Sequence, residues 1–222
     1  MTEIIIDNLS KTIKNNVVLK DISLEMKSGL IYGLQGINGS GKTMLMRSIL
    51  GLIRATKGTV KINRKVIGKD IEFPEDVGFL LESPTFLNRY SGFKNLKMLN
   101  SIKNKISDDE IKDVLKLVGL SEDAWNKKYG KYSLGMKQRL GIAASIMEKP
   151  DIVIMDEPTN ALDSSGVELV KNILQEQKKR GALVIVSCHD TAILEKLSDE
   201  IIKMEMGSII DHLYLNNNEE LM

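Results

Sequence analysis

Gly36-Ile37-Asn38-Gly39-Ser40-Gly41-Lys42-Thr43 follows the apolar run Leu30-Ile31-Tyr32-Gly33-Leu34 and opens a second apolar stretch from Thr43 to about Ile53. The run before the octet predicts a strand and the stretch after it a helix. The octet fits GxxxxGK[ST] in the strand–loop–helix setting where such a loop binds phosphate. Gly36, Gly39 and Gly41 carry no Cβ, so the backbone through Ile37, Asn38 and Ser40 can bend until successive N–H groups point inward. A helix N-terminus beside them favours negative charge. Lys42 adds a cation for the β- and γ-phosphates, and the Thr43 hydroxyl offers a ligand to Mg²⁺.

Farther along, Ile152-Val153-Ile154-Met155-Asp156-Glu157 reads as a buried strand that delivers two acids at its C-terminal end, where ligands sit in open parallel sheets. Asp156 suits the Mg²⁺ shell and Glu157 the attacking water. Neighbouring side chains on a strand point to opposite faces, but the chain turns through Pro158 here, so both can serve one site from different angles.

Between and around these motifs the pattern changes twice. Ile4, Ile5 and Ile6, then Ile22, Leu24 and Met26, predict an antiparallel N-terminal sheet broken by the polar stretch Lys14-Asn15-Asn16. From roughly Thr85 to Met147 the spacing becomes helical. Ile111, Val114, Leu115 and Val118 fall on one face, and Ser107 or Asp108 is placed to cap that helix. After Pro150 the chain returns to alternation, with strands at Ile152–Met155, Leu183–Ser187 and Ile201–Met204 separated by helices around Val167–Lys179 and Thr191–Leu197; this implies a parallel sheet. The expected division is a core of 1–84 and 149–215 that includes the antiparallel part, an inserted helical lobe of 85–148, and a polar tail of 216–222.

With 222 residues, 42% apolar, the chain can bury an ordinary core. Lys+Arg at 31 against Asp+Glu at 30 gives no support for a nucleic-acid partner. No apolar run reaches the ~18 to 20 residues of a membrane span, and Met1–Ser10 lacks a signal segment, so a cytoplasmic location is expected. The single cysteine, Cys188, has no partner for a disulfide or a CxxC site and reads as a small buried hydrophobe.

Tyr132-Ser133-Leu134-Gly135-Met136-Lys137-Gln138-Arg139 resembles the signature of ABC ATPases, a divergent relative of LSGGQ, shortly before the acid strand. Asn160-Ala161-Leu162-Asp163 resembles their D-loop, and Ser187-Cys188-His189 their switch histidine. With the phosphate loop and the acid strand, the ordered motifs run from Gly36 to His189, and the resemblance to the ATP-binding subunits of ABC transporters covers nearly the whole chain.

The resemblance implies an α/β P-loop fold of the ABC ATPase type: a mixed, largely parallel core with an N-terminal antiparallel β-subdomain and an inserted helical subdomain. It implies a motor that hydrolyses MgATP as a head-to-tail dimer, each ATP lying between the phosphate loop of one copy and the Ser133–Gly135 turn of another. The second subunit is another copy or a related ATPase. By the same likeness Glu157 polarises the water, His189 holds the γ-phosphate, and Asp163 links the two sites. A membrane-spanning permease is the expected partner, holding the subunit on the inner face of the cell membrane through the region Phe86–Leu99, with part of Phe86–Tyr90 exposed.

Three positions depart from the common pattern. Glu82 stands where most members carry a glutamine that ligates Mg²⁺. Leu134 and Met136 replace a glycine and a glutamine of the signature. Ile13 stands where an aromatic ring usually stacks on adenine, leaving apolar contact from Ile13 and Val18. Glu82 together with this signature resembles the bacitracin and lantibiotic export and immunity subgroup. The rival reading is an ABC ATPase without transport. Long coiled coils between phosphate loop and signature, or two cassettes in one chain, would mark the repair and translation types, and the sequence has neither; a scaffold-linked cluster-assembly role stays open. A regulatory subunit that scarcely hydrolyses ATP conflicts with the presence of Glu157.

Overall fold

The structure, a computed structural model, describes residues 1–215; the tail expected at 216–222 lies outside them. β1 (Glu3–Ile13) and β2 (Asn16–Lys27) form a hairpin, and β3 (Ile31–Gln35) and α1 (Lys42–Ile49) flank the glycine-rich loop. β4 (Lys57–Ile62) and β5 (Lys65–Val66) form a second hairpin, and β6 (Val77–Leu80) leads into α2 (Gly92–Lys103), α3 (Asp108–Leu117), α4 (Glu122–Asn126), a 3₁₀ turn (Tyr129–Lys131) and α5 (Leu134–Ile146). β7 (Ile152–Met155), α6 (Ser164–Lys179), β8 (Leu183–Ser187), α7 (Thr191–Leu197), β9 (Glu200–Glu205) and β10 (Ser208–Tyr214) follow.

The strands make two sheets. β2-β1-β4-β5 is antiparallel throughout. The second sheet has the order β10-β9-β3-β8-β7-β6, parallel from β9 to β6, with β10 antiparallel on one edge. This is the α/β architecture expected, with two additions that the sequence reading passed over: the β4–β5 hairpin and the edge strand β10. Each rests on a two-residue turn, Asn63-Arg64 at φ 49° and 68° and Met206-Gly207 at 45° and 80°, as β1–β2 rests on Lys14-Asn15 at 45° and 70°. Paired positive φ values match the right-handed twist of the strands they join. α1 stops at Ile49, short of Ile53, because Leu50 closes the helix and Gly51 turns to φ 73°.

Alternation along the parallel strands divides the core in two. Ile152 and Ile154 of β7, with Leu183 and Ile185 of β8, face the antiparallel sheet and α1. Val153 and Met155, with Val184 and Val186, face the helical region and α6. A strand buried on both faces reads as a continuous apolar run for this reason. The α3 face behaves as its spacing predicts: Ile111, Leu115 and Val118 are buried, Val114 packs against them, and Ser107 forms a reciprocal cap with Glu110. Among the described residues no helix is long and apolar enough to cross a membrane.

Candidate nucleotide site

The glycine-rich loop leaves β3 at the same end of the sheet at which β7 and β8 finish. In open parallel sheets that end is where ligands gather. Gly36 and Gly41 take φ of 156° and 108°. A Cβ at Gly36 would run into the Met204 carbonyl and Ser40 Oγ, and one at Gly41 would meet Val18 O at 3.1 Å. The bend therefore needs glycine both conformationally and for space. Lys42 is buried and folds back along the loop, its Nζ donating to Gly36 O at 2.6 Å and Ile37 O at 3.2 Å. Neither acceptor is a carboxylate, so the cation keeps its charge available to an anion. Ser40 Oγ is buried beneath the loop and has no hydrogen-bond partner among the described residues.

A chain of hydrogen bonds joins the loop to the acid strand. Thr43 Oγ1 donates to Asp156 Oδ2 at 2.6 Å, Ser187 Oγ donates to Asp156 Oδ1 at 2.5 Å, and the Glu157 N–H donates to Ser187 Oγ at 3.0 Å. Ser187 closes β8, so one hydroxyl fixes both acids of the neighbouring strand. Glu157 adopts φ 53°, a conformation that costs a side-chain-bearing residue on the order of 1 kcal/mol and is held here by its surroundings. The turn re-aims its carboxylate toward His189, whose backbone N–H donates to Oε2 at 3.2 Å and whose Nε2 lies 3.3 Å from Oε1. That second approach lacks hydrogen-bond alignment, so among the described residues Oε1 has no hydrogen-bond partner. Burial pushes the Glu157 carboxyl up from its ordinary range, and the neighbouring His189 acts against the shift.

Ser40, Gly41, Lys42, Thr43, Asp156, Glu157 and His189 line a cavity of about 400 Å³, together with Val18, Asn38, Gly39, Glu82 and Asn160. Val18 faces the cavity, but Ile13 sits at the exposed tip of the β1–β2 hairpin and is not part of the lining, so the apolar contact expected of the pair is left to Val18. Glu82, at φ 57°, reaches the cavity from the loop after β6 and accepts a hydrogen bond from Arg47 at 2.5 Å.

Gly36 and Ile37 line the neighbouring pocket with Gln35 and Thr191, and three other candidates stay outside both. Ser133 is the N-cap of α5, its oxygen accepting from Met136 N–H at 3.2 Å, and the adjacent Leu134 is 73% exposed. Gly135 lies in the first turn of the same helix. Asp163 caps α6 by accepting from Gly166 N–H at 2.8 Å and Ser165 Oγ at 2.9 Å; the backbone bond first, then the hydroxyl, holds its carboxyl below the usual range.

Residues 19–160 match the ABC transporter family, a stretch longer than half of the chain. The chain belongs to that family. It is 48% identical over 202 residues to the ABC transporter ATP-binding protein YybJ of Bacillus subtilis, covering 91% of this chain and 92% of the relative. It is 34% identical to the bacitracin transport ATP-binding protein BcrA of Enterococcus faecalis, covering 95% and 68%. The fold matches the dimeric post-hydrolysis structure of the ATP-binding cassette MJ0796, at a TM-score of 0.87 and 24% identity, over 96% of this chain and 98% of that one.

This ABC ATPase acts on ATP with Mg²⁺, and the donor set fits both. The loop offers backbone N–H groups and one uncommitted cation to the phosphates. Thr43 and Asp156 offer two oxygens to a metal that keeps the rest of its octahedral shell for phosphate oxygens and water. Among the described residues no group of three or more His, Cys, Asp or Glu could hold a metal by itself. Three further site residues were not singled out from sequence. Gln138 Nε2 donates to the Glu157 carbonyl at 3.0 Å and lines the cavity, Ser187 orders the acid pair, and Arg47 binds Glu82. Arg47 alone carried a legible signal, its i, i+4 spacing from Thr43 on α1.

Proposed function

We propose that this ABC ATPase is the motor of an exporter for peptide antibiotics or related compounds, working as a head-to-tail dimer on a separate permease at the inner face of the cell membrane. One observation carries the reading: the cavity holds the groups for one side of a triphosphate, while Ser133, Gly135 and the exposed Leu134 present a helix N-terminus elsewhere on the surface. A helix N-terminus suits an anion. A second copy brought head to tail supplies that turn to the γ-phosphate.

In this reading Gly36 through Thr43 and Val18 bind the nucleotide, and Thr43, Asp156 and Glu82 bind Mg²⁺. Glu157 takes the proton of the attacking water, His189 and Lys42 hold the γ-phosphate, and Asp163 contacts the opposite site. The core of 1–84 and 149–215 and the lobe of 85–148 then move as two units about the Glu82 loop. Export of peptide antibiotics is supported by Glu82, by the Tyr-Ser-Leu-Gly-Met signature and by the likeness to the bacitracin transport protein.

A groove beside β6 suits the permease. Phe79, Leu99 and Ile102 are all more than a third exposed there, and Phe79 lies three residues before Glu82. Phe86, by contrast, packs edge-on against Tyr129 at 5.3 Å, and Leu87 is the exposed apolar residue of the Phe86–Tyr90 stretch. The permease contact is therefore proposed chiefly at the groove. Size-exclusion chromatography of Glu157→Gln tests the dimer: it doubles in mass when ATP is added. A variant that binds ATP yet remains monomeric overturns the head-to-tail arrangement.

A further inference from the structure

Arg47 lies four residues after Thr43 on α1, so the two side chains leave the same face of the helix one turn apart. Thr43 is bonded to Asp156, and Arg47 to Glu82, whose loop comes from the other side of the cavity. The guanidinium thus joins α1 to the Glu82 loop, one helical turn beyond the Thr43–Asp156 contact. Glu82, Asp156 and Glu157 place three carboxylates around one cavity, against Lys42 and His189 as the other groups of its lining that can carry positive charge. A triphosphate adds several further negative charges. An uncompensated carboxylate at position 82 would repel it, whereas a glutamine there would not.

We propose that Arg47 is a positioning residue for Glu82: it aims that carboxylate at the metal edge and cancels its charge against the triphosphate, which is what makes an acid workable at this position. The proposal rests on the reading of Glu82 as a metal-side group of the MgATP site and extends it to the residue behind. The pair adds little to folding, since its side chains are 35% and 64% exposed, and an ion pair so solvated is weak as a structural element. Its effect is on the ligand. Glu82 takes φ 57°, so the turn after β6 sets the direction in which its side chain leaves the backbone.

The test is a double-mutant cycle on the purified subunit, comparing the parent, Arg47→Gln, Glu82→Gln and the double variant, with Arg47→Lys as the charge-preserving control. Equilibrium binding of a fluorescent ATP analogue is measured in EDTA, and Mn²⁺ binding to the ATP-loaded protein by electron paramagnetic resonance. Arg47→Gln weakens metal-free ATP binding about fivefold when residue 82 is glutamate and less than about twofold when it is glutamine, while Arg47→Lys stays within about twofold of the parent. Equal weakening in both backgrounds, or none in either, overturns the role of Arg47. The Mn²⁺ titration separates the underlying reading: Glu82→Gln weakens Mn²⁺ binding several-fold, and parental Mn²⁺ affinity in that variant overturns Glu82 as a metal ligand whatever the ATP cycle returns.

Discussion

The phosphate-loop side of the molecule and the signature turn are built in opposite ways. Around the loop the key groups are held by the chain itself: the Lys42 ammonium by two carbonyls, the Asp156 carboxylate by Thr43 and Ser187, the Glu157 backbone by Ser187 and Gln138 and its carboxylate by the His189 N–H. At the signature turn Ser133 only caps its own helix, and Leu134 stands in solvent. One half is preorganised, which suits electrostatic catalysis. The other gains its purpose by meeting a second surface. Removing a group from the first half should damage chemistry within one subunit, and removing one from the second should damage assembly.

The largest effect expected falls on the preorganised side. Glu157→Gln slows steady-state ATP hydrolysis at least about 10²-fold while ATP binding is retained, since it removes the proton acceptor and keeps the shape. Hydrolysis at the parental rate would show that the base lies elsewhere. Next comes a bulky charge on the other side. Ser133→Arg lowers turnover about 10-fold or more, yet leaves equilibrium ATP binding by the isolated subunit within about twofold, because Ser133 is outside that subunit's cavity. Weakened binding in the monomer would erase the contrast between the two halves.

The pH profile sharpens the same comparison. Burial holds the Glu157 carboxyl above its ordinary range, so it takes up a proton at a higher pH than a solvated glutamate. The deprotonated form is the base, hence kcat is full above that raised value and falls as the pH is lowered through it. An acid limb at the pH of a solvated carboxylate would contradict the burial seen here. The smallest effect concerns the caps. Ser107→Ala, which removes a reciprocal cap far from any ligand, costs about 1 kcal/mol in denaturant unfolding with ATPase activity intact. Ser133→Ala costs a similar amount of stability but also lowers activity, and a loss of stability without loss of activity would reduce Ser133 to a cap.

Much of this was legible in the sequence. The α/β class followed from the alternation after Pro150, and the α3 face and its cap followed from a period of about 3.6. The phosphate loop and the acid strand carried their chemistry in residue type and spacing, because both are short contiguous segments whose backbone is dictated locally. The two strand pairs on Asn63-Arg64 and Met206-Gly207 were missed for a physical reason: neither turn uses the Asn-Gly or Asp-Gly pair that announces a positive-φ hairpin, and the left-handed conformation at Asn63, Arg64 and Met206 is imposed by the sheet around them.

By itself the sequence determined which groups take part, since glycine, lysine, hydroxyl and carboxylate at those spacings suit a metal-bound triphosphate whatever surrounds them. Only the tertiary structure decided which of them share one cavity. Ser187 between the two acids, Gln138 on the Glu157 carbonyl, Arg47 on Glu82, and Ile13 outside the lining all depend on where separate strands and helices stop relative to one another. Those endpoints come from packing two apolar faces of one sheet, which no local run of residues encodes.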